Sequence, residues 1–300
     1  TGGSTSIIDA YDRFRQAGAT AREVLKQAAS ERLGIPVSDL ETRDGRVIGP
    51  GDIALTYAEL AEAASRIDPP RSVDLRPKSD WRYLGRSMPR TDVVAKSTGT
   101  AGYATDIPMD GLRFATVRMC PRLGGEMLSF DASAAEAMAG VERVIDLGTG
   151  IAVVSTNTWL AIQAADAVEN EWDDAPYPAD TAGQVEAIRA AFDGSPNSTL
   201  RDDGDVAEPV RETDREITAE YSVPFLAHST MEPMTATAHH TGDQLDIWAG
   251  SQAPTLAEHA AADAVGLRRD DVTCHVTFLG GGFGRRGEAD FIVLAARIAD

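Results

Sequence analysis

Cysteine, lysine and histidine are scarce in this sequence of 300 residues, and no apolar run approaches the length of a membrane span. Each shortage excludes something. The two cysteines, Cys120 and Cys274, lie far apart with no C-x-x-C pair, so a zinc ribbon or an iron–sulfur cluster held by this chain alone is ruled out. Cys274 alternates with Val272, Val276 and Phe278, the pattern of a buried small hydrophobe. Lysine occurs only at Lys26, Lys78 and Lys96, and the remaining basic residues are arginine. With abundant alanine this fits a GC-rich or salt-adapted source, bacterial or archaeal; two thiols do not separate a cytoplasmic from a periplasmic home. Gly-Lys-Ser/Thr is missing too, which excludes a Walker P-loop. There is no initiator Met, basic n-region or apolar h-region, so a targeting segment would lie outside this sequence, and the opening reads as that of a fragment or a processed chain.

Negative charge, by contrast, is plentiful. A formal net charge of −19 repels nucleic acid and anionic lipid, so neither is an expected partner, and no membrane span is expected. The 43% apolar content is enough for real cores, and the length suits two or three domains.

Periodicity predicts a helix over 21–33, with Thr20 and Glu23 as its capping box and Gly34 and Pro36 as its stop. Asp44-Gly45 reads as a hairpin turn, and Thr56 with Glu59 as a second capping box. Residues 67–96, rich in Pro, Arg, Asp and Ser, read as a linker with little structure of its own. Residues 111–120, 141–147 and 151–155 read as strands. Short helices should follow Asp131 and Asn157, and 173–205 should be a long surface loop. In the last third, Ile217, Ala219, Tyr221 and Val223 alternate with polar residues as in a half-buried strand. Leu245 and Ile247 belong to another, Thr255 and Glu258 box a helix that ends at Gly266, and Val272 to Leu279 is a strand again.

That last strand runs into Gly280-Gly281-Gly282-Phe283-Gly284-Arg285-Arg286. Glycines let backbone approach a ligand and adopt positive φ. Successive N–H groups there can form an anion-binding nest, and two arginines add positive charge suited to phosphate; the other reading is a glycine turn with solvated arginines. Gly282-x-Gly284-x-x-Gly287 also matches the dinucleotide fingerprint, without the acidic residue that should follow about twenty positions on. His228 four residues before Glu232 suits acid–base work or a structural pair. Gln252 sits between a strand and a helix start, facing a ligand or solvent. Thr1-Gly2-Gly3-Ser4 could cup a ligand through N–H and O–H groups, or be a loose tail. His239 and His240 are adjacent, so on a strand they face opposite ways and make no metal site.

Together these segments resemble the molybdenum hydroxylases of the xanthine dehydrogenase/aldehyde oxidase family, in the form of the isoquinoline 1-oxidoreductase beta chain. Leu279 to Arg286 is similar to the family's glycine loop, and His228 to Pro233 to its upstream segment. Gln252, within Ser251-Gln252-Ala253-Pro254, matches the glutamine that approaches the molybdenum oxo group. Gly102 to Ile107 is similar to the start of the hammerhead domain, and Thr1 to Ser6 to a cofactor-contacting segment.

The resemblance implies a molybdopterin, in the cytosine dinucleotide form, whose dithiolene holds molybdenum, so that no metal ligand comes from the protein. It assigns Gln252 a catalytic place and gives cofactor contacts to Thr1, Gly2, Gly3, Ser4, Gly281, Gly282, Phe283, Gly284 and Arg285. It implies water-derived hydroxylation of an N-heterocycle or aldehyde. Electrons would leave through iron–sulfur clusters on a small partner subunit, and remaining segments of the same large subunit would complete the enzyme. The family's base glutamate belongs to a C-terminal half beyond Asp300. Glu232 and Glu288 do not occupy its motif, so no base is assigned, and the piece is expected to be inactive alone.

The fold expected is α+β, with mixed-sheet cofactor-binding domains flanking a small hammerhead-like α/β unit. Its parts are 1–85 (part of a cofactor domain), 90–175 (the hammerhead-like unit) and 205–300 (a second cofactor domain). The rival readings are a dinucleotide-dependent oxidoreductase using Gly282, Gly284 and Gly287, and a non-catalytic scaffold for partner subunits.

Overall fold

The computed structural model describes residues 2–204, 215 and 217–300. Its contacts divide it into two units, Thr1–Ala101 and Gly102–Asp300.

The first unit opens with helix α1, Ser6–Leu33. It starts fifteen residues before the predicted 21, so Thr20 lies inside it and caps nothing. Glu23 is taken by Arg22 at 2.7 Å instead. A helix once nucleated adds one hydrogen bond per residue, so Gly18 is carried at a cost of about 1 kcal/mol. Gly34, with φ 69°, ends the helix and donates to the Ser30 carbonyl. Strands β1 (Glu41–Arg43), β2 (Arg46–Ile48) and β3 (Ala54–Thr56) form an antiparallel sheet in that order. Asp44 and Gly45, at φ 50° and 74°, make the predicted tight turn. The Thr56–Glu59 capping box opens α2, Tyr57–Ala64. The core joins Ala28 and Ala29 of α1 to Leu40, Val47 and Leu60. The sheet here is antiparallel rather than the expected mixed one, because turns this short allow only antiparallel pairing. Of the predicted linker 67–96, residues up to 92 have little regular structure beyond a 3-10 turn at Lys78–Asp80, but its end is helical, in α3, Val93–Thr98.

In the second unit, β4 (Phe114–Met119), β6 (Val141–Asp146) and β7 (Gly150–Ser155) make an antiparallel sheet with β7 central. Strands β5 (Met127–Asp131) and β8 (Glu169–Trp172) pair separately. Helix α4, Ser133–Glu136, follows Asp131, whose carboxylate accepts from the Ser133 backbone at 2.9 Å. The Asn157 side chain caps α5, Thr158–Ala167, by accepting from the Leu160 N–H at 2.9 Å. Ala135, Ala164 and Ala165 pack on Ile151 and Val153. The loop expected over 173–205 contains a helix, α6, Thr181–Ala191, which Asp180 caps through the Gly183 N–H at 2.7 Å.

The predicted strand at 217–223 does not form. Glu216 is outside the described residues. Ile217, Tyr221 and Val223 are exposed, and no strand among the described residues pairs with them. Alternation makes a strand only where a neighbour supplies hydrogen bonds.

The last sheet is mixed. Strand β10 (Leu245–Ala249) lies between antiparallel β9 (Ala236–His240) and parallel β11 (Val272–Val276). The parallel pair is joined through α7, Pro254–Val265, and α8, Asp290–Ala299, packs beside it. Leu245, Ile247, Val272 and Cys274 meet Ala257, Ala261, Ile292 and Ala296 in one core. The Thr255–Glu258 box is absent. Glu258 accepts the Cys274 backbone N–H at 3.2 Å, so a tertiary partner takes the capping carboxylate, and Ser251 Oγ accepts locally from Ala253 N at 3.1 Å. No helix among the described residues is long and apolar enough to cross a membrane.

Candidate functional site

Two loops leave the carboxyl ends of the parallel strands β10 and β11, the place where open α/β sheets present ligand sites. The first is Gly250-Ser251-Gln252-Ala253. The second is the glycine loop, 280–287. Gln252 ties them together. Its backbone N–H donates to the Arg286 carbonyl at 2.9 Å, and its side-chain Oε1 accepts the Gly284 N–H at 3.1 Å.

Glycine is required here by space. A Cβ on Gly282 would stand 2.7 Å from Gln252 Oε1, and one on Gly280 would strike the Glu232 side chain. Gly281 and Gly284 have φ of 105° and 96°, and even Phe283 is held at φ 54° with its ring exposed. Among the described residues, no acceptor meets the N–H groups of Gly281, Gly282 and Phe283. Consecutive amides in such a turn form a concavity of positive partial charge. The residues present therefore fit an anionic group laid against this backbone.

The two arginines have settled partners. Arg285 forms a bidentate pair with Asp290, at 2.8 and 2.6 Å. Burial would raise the Asp290 carboxyl, but the hydrogen bond and charge of Arg285 outweigh it and hold the group below the usual carboxylate range. Arg286 is fully buried, not solvated. Its Nε donates to the Gly281 carbonyl at 2.7 Å, and Nη2 donates to the Glu232 carbonyl at 2.8 Å and pairs with Glu232 Oε2 at 2.8 Å. Glu232 Oε2 also accepts the Gly280 N–H at 2.8 Å. Arg286 and Glu232 thus brace the loop from beneath. In the sequence these two residues stand in separate motifs 54 positions apart, and no spacing rule joins them.

His228 is exposed and makes no hydrogen bond to Glu232, so an acid–base pair of the two does not form among the described residues. His239 and His240 lie on β9 with opposite facing, and His240 Nδ1 meets Asp300 at 3.2 Å. Among the described residues no group of three His, Cys, Asp or Glu side chains could hold a metal. Gly2, Gly3 and Ser4 belong to the first unit. They form an exposed turn in which Thr5 N donates to the Gly2 carbonyl at 3.3 Å, with Gly3 and Ser4 at φ 58° and 55°. Thr1 lies outside the described residues.

Residues 191–300, which contain both loops, match the molybdopterin cofactor-binding domain. Over 99% of its length the chain is 29% identical to the beta chain of isoquinoline 1-oxidoreductase from Brevundimonas diminuta, covering 44% of that protein. It is also 29% identical to a nicotinate dehydrogenase chain of Pseudomonas putida, over 81% of this chain and 21% of the relative. The chain is thus similar to proteins of the xanthine dehydrogenase/aldehyde oxidase family, and the part matched by a family model, 191–300, is molybdopterin-binding sequence. The chain spans less than half the length of these relatives. The crystal structure of quinoline 2-oxidoreductase from Pseudomonas putida 86 superposes with a TM-score of 0.56 at 18% identity, over 72% of this chain and 33% of that one, which shows a shared fold. The dinucleotide reading gains nothing. The last glycine, Gly287, closes a 3-10 turn (Arg285–Gly287), and Glu288 and Ala289 stand between it and α8, so the motif does not open a helix as the fingerprint requires.

Proposed function

We propose that the chain is the cofactor-binding portion of a molybdenum hydroxylase that oxidises an N-heterocycle or an aldehyde with oxygen drawn from water. The observation that carries this reading is the Gln252–Gly284 tie, within a loop whose three preceding N–H groups face no protein acceptor among the described residues. The cofactor is a molybdopterin, in the cytosine dinucleotide form. When bound it supplies a two-electron redox centre whose metal is held by the pterin's own dithiolene.

This chain's residues bind and orient. The amides of Gly281, Gly282 and Phe283 grip anionic groups of the cofactor. Gln252, anchored through Oε1, would lie near the molybdenum oxo group of the bound cofactor. Phe283, held out at positive φ, supplies an apolar wall, and Arg285 adds charge at the rim beside Asp290. Thr1, Gly2, Gly3 and Ser4 are read, on the resemblance alone, as a further cofactor-contacting segment. Glu232 is engaged by Arg286 and Gly280 and is not the base; no base is assigned in this chain. Residues 1–85 and 205–300 are read as parts of the cofactor domains, and 90–175 as the hammerhead-like unit. Further segments of the large subunit and an iron–sulfur small subunit complete the enzyme, in a bacterial or archaeal cytoplasm or periplasm.

Elemental and pterin analysis of the protein purified with its genomic neighbours tests this. Stoichiometric molybdenum and cytosine-containing pterin are expected, with no tightly held NAD or FAD. A molybdenum-free intact protein would overturn the reading. Cofactor bound without hydroxylase activity in the complete assembly would favour a scaffold role.

A further inference from the structure

In the first unit we infer a second binding site, for a small flat carboxylate, in the cleft beside Thr42. The cleft encloses about 330 Å³, within the range of small-molecule pockets. Phe14, Tyr57, Trp81 and Tyr83 give it aromatic walls, and Arg76 and Arg82 line it.

The placement of those two arginines carries the argument. Both guanidinium groups converge on Thr42, which is itself buried. Arg82 Nη1 donates to the Thr42 carbonyl at 2.7 Å. Arg76 Nη2 donates to Thr42 Oγ1 at 2.8 Å and reaches the same carbonyl at 3.4 Å. Two half-buried cations therefore share one neutral oxygen. Among the described residues neither forms an ion pair. The other two arginines on the cleft do have acidic partners: Arg22 pairs with Glu23 at 2.7 Å, and Arg15 reaches Asp12 at 3.5 Å. The acid on the cleft wall, Asp80, accepts from Ser79 Oγ at 2.8 Å.

Two like charges directed at one oxygen repel each other, and an anion in the cleft would relieve that repulsion, in a chain whose net charge is −19. Guanidinium forks match the two oxygens of a carboxylate. Trp81, whose Nε1 donates to the Arg76 carbonyl at 3.2 Å, holds its indole against the arginine segment, and Arg15 stands 5.6 Å over the same ring. A flat apolar body beside the carboxylate suits those walls. The inference rests on the first unit alone and is independent of the cofactor reading.

Calorimetric titration of the full chain with benzoate, benzamide and inorganic phosphate tests it. Benzoate should bind roughly tenfold or more tightly than benzamide, its neutral isostere, and more tightly than phosphate. The Arg76→Gln/Arg82→Gln double variant should lose that preference while keeping its far-UV dichroism. Trp81→Leu should weaken benzoate and leave phosphate unchanged. Equal affinity for benzoate and benzamide, preference for phosphate, no binding of benzoate, or undiminished benzoate binding by the folded double variant would each overturn the proposal. The comparison of probes uses the unmodified chain, so it holds even if a variant fails to fold.

Discussion

Gln252 Oε1 accepts the backbone N–H of Gly284 at 3.1 Å, joining two loops 32 residues apart in the chain. Together with the Gln252 N–H donated to the Arg286 carbonyl at 2.9 Å, this bond sets the distance between the Gln252 amide and the glycine loop. Gln252→Ala removes it, at a net cost of about 1 kcal/mol. Amide exchange at Gly284 should quicken roughly fivefold, and the intact enzyme should carry less pterin. Gly282→Ala should have the larger effect on pterin content, because its Cβ meets the Gln252 oxygen at 2.7 Å. Unchanged exchange and full pterin content in both variants would remove the tie from any account of the site.

Arg286 and Glu232 should behave as a buried ion pair. Arg286→Met leaves the Glu232 carboxylate buried without its partner, which costs about 3–5 kcal/mol in denaturant unfolding. The double variant Arg286→Met/Glu232→Leu should recover part of that loss, since no uncompensated charge stays behind. A single variant as stable as the parent would show that the pair does not brace the loop.

Burial, with the nearby Glu258 charge second, pushes the Cys274 thiol up to about 11, from an ordinary value of 9.0. The folded protein therefore favours the neutral thiol. Its contribution to stability is complete below pH 9 and declines as pH rises toward 11. At pH 8, iodoacetamide should modify the half-exposed Cys120 well ahead of the buried Cys274. Peptide mapping after brief alkylation reads the order directly, and equal rates would contradict the burial.

Thr56→Ala should cost about 1 kcal/mol by removing the side-chain half of the α2 capping box, in which Glu59 N donates to Thr56 Oγ1 at 3.2 Å. Thr20→Ala, at a position where the sequence pattern suggests an equal cap, should leave stability nearly unchanged because Thr20 lies within α1. Equal losses at the two sites would mean that α1 starts later than the structure shows.

Local rules worked where the partners are close in sequence. Asp44-Gly45, Thr56-x-x-Glu59 and Asn157 each complete their geometry within three residues, and each is found where its motif stands. They failed where a distant group competed. Glu258 had a capping position available but bonds the Cys274 backbone on another element. The alternation over 217–223 had the right side chains but lacks a pairing edge among the described residues. Of the candidate site, the glycines and Gln252 were legible one at a time. Arg285 and Arg286 read as a loose positive pair, yet one is held by Asp290 and the other is buried on Glu232, a distinction no spacing rule contains.

By itself, then, the order of residues determined the short-range features: turns at glycine, caps at Thr56 and Asn157, alternating strands at β10 and β11, and a loop in which side chains are kept small. These depend on dihedral preference and on hydrogen bonds that span three or four positions. Tertiary structure alone decided that Gln252 meets Gly284, that Arg286 goes inside, and that Arg76 and Arg82 share the oxygen of Thr42. Those contacts exist because packing brings remote groups within hydrogen-bonding distance, and such distances are properties of a folded core that no local pattern encodes.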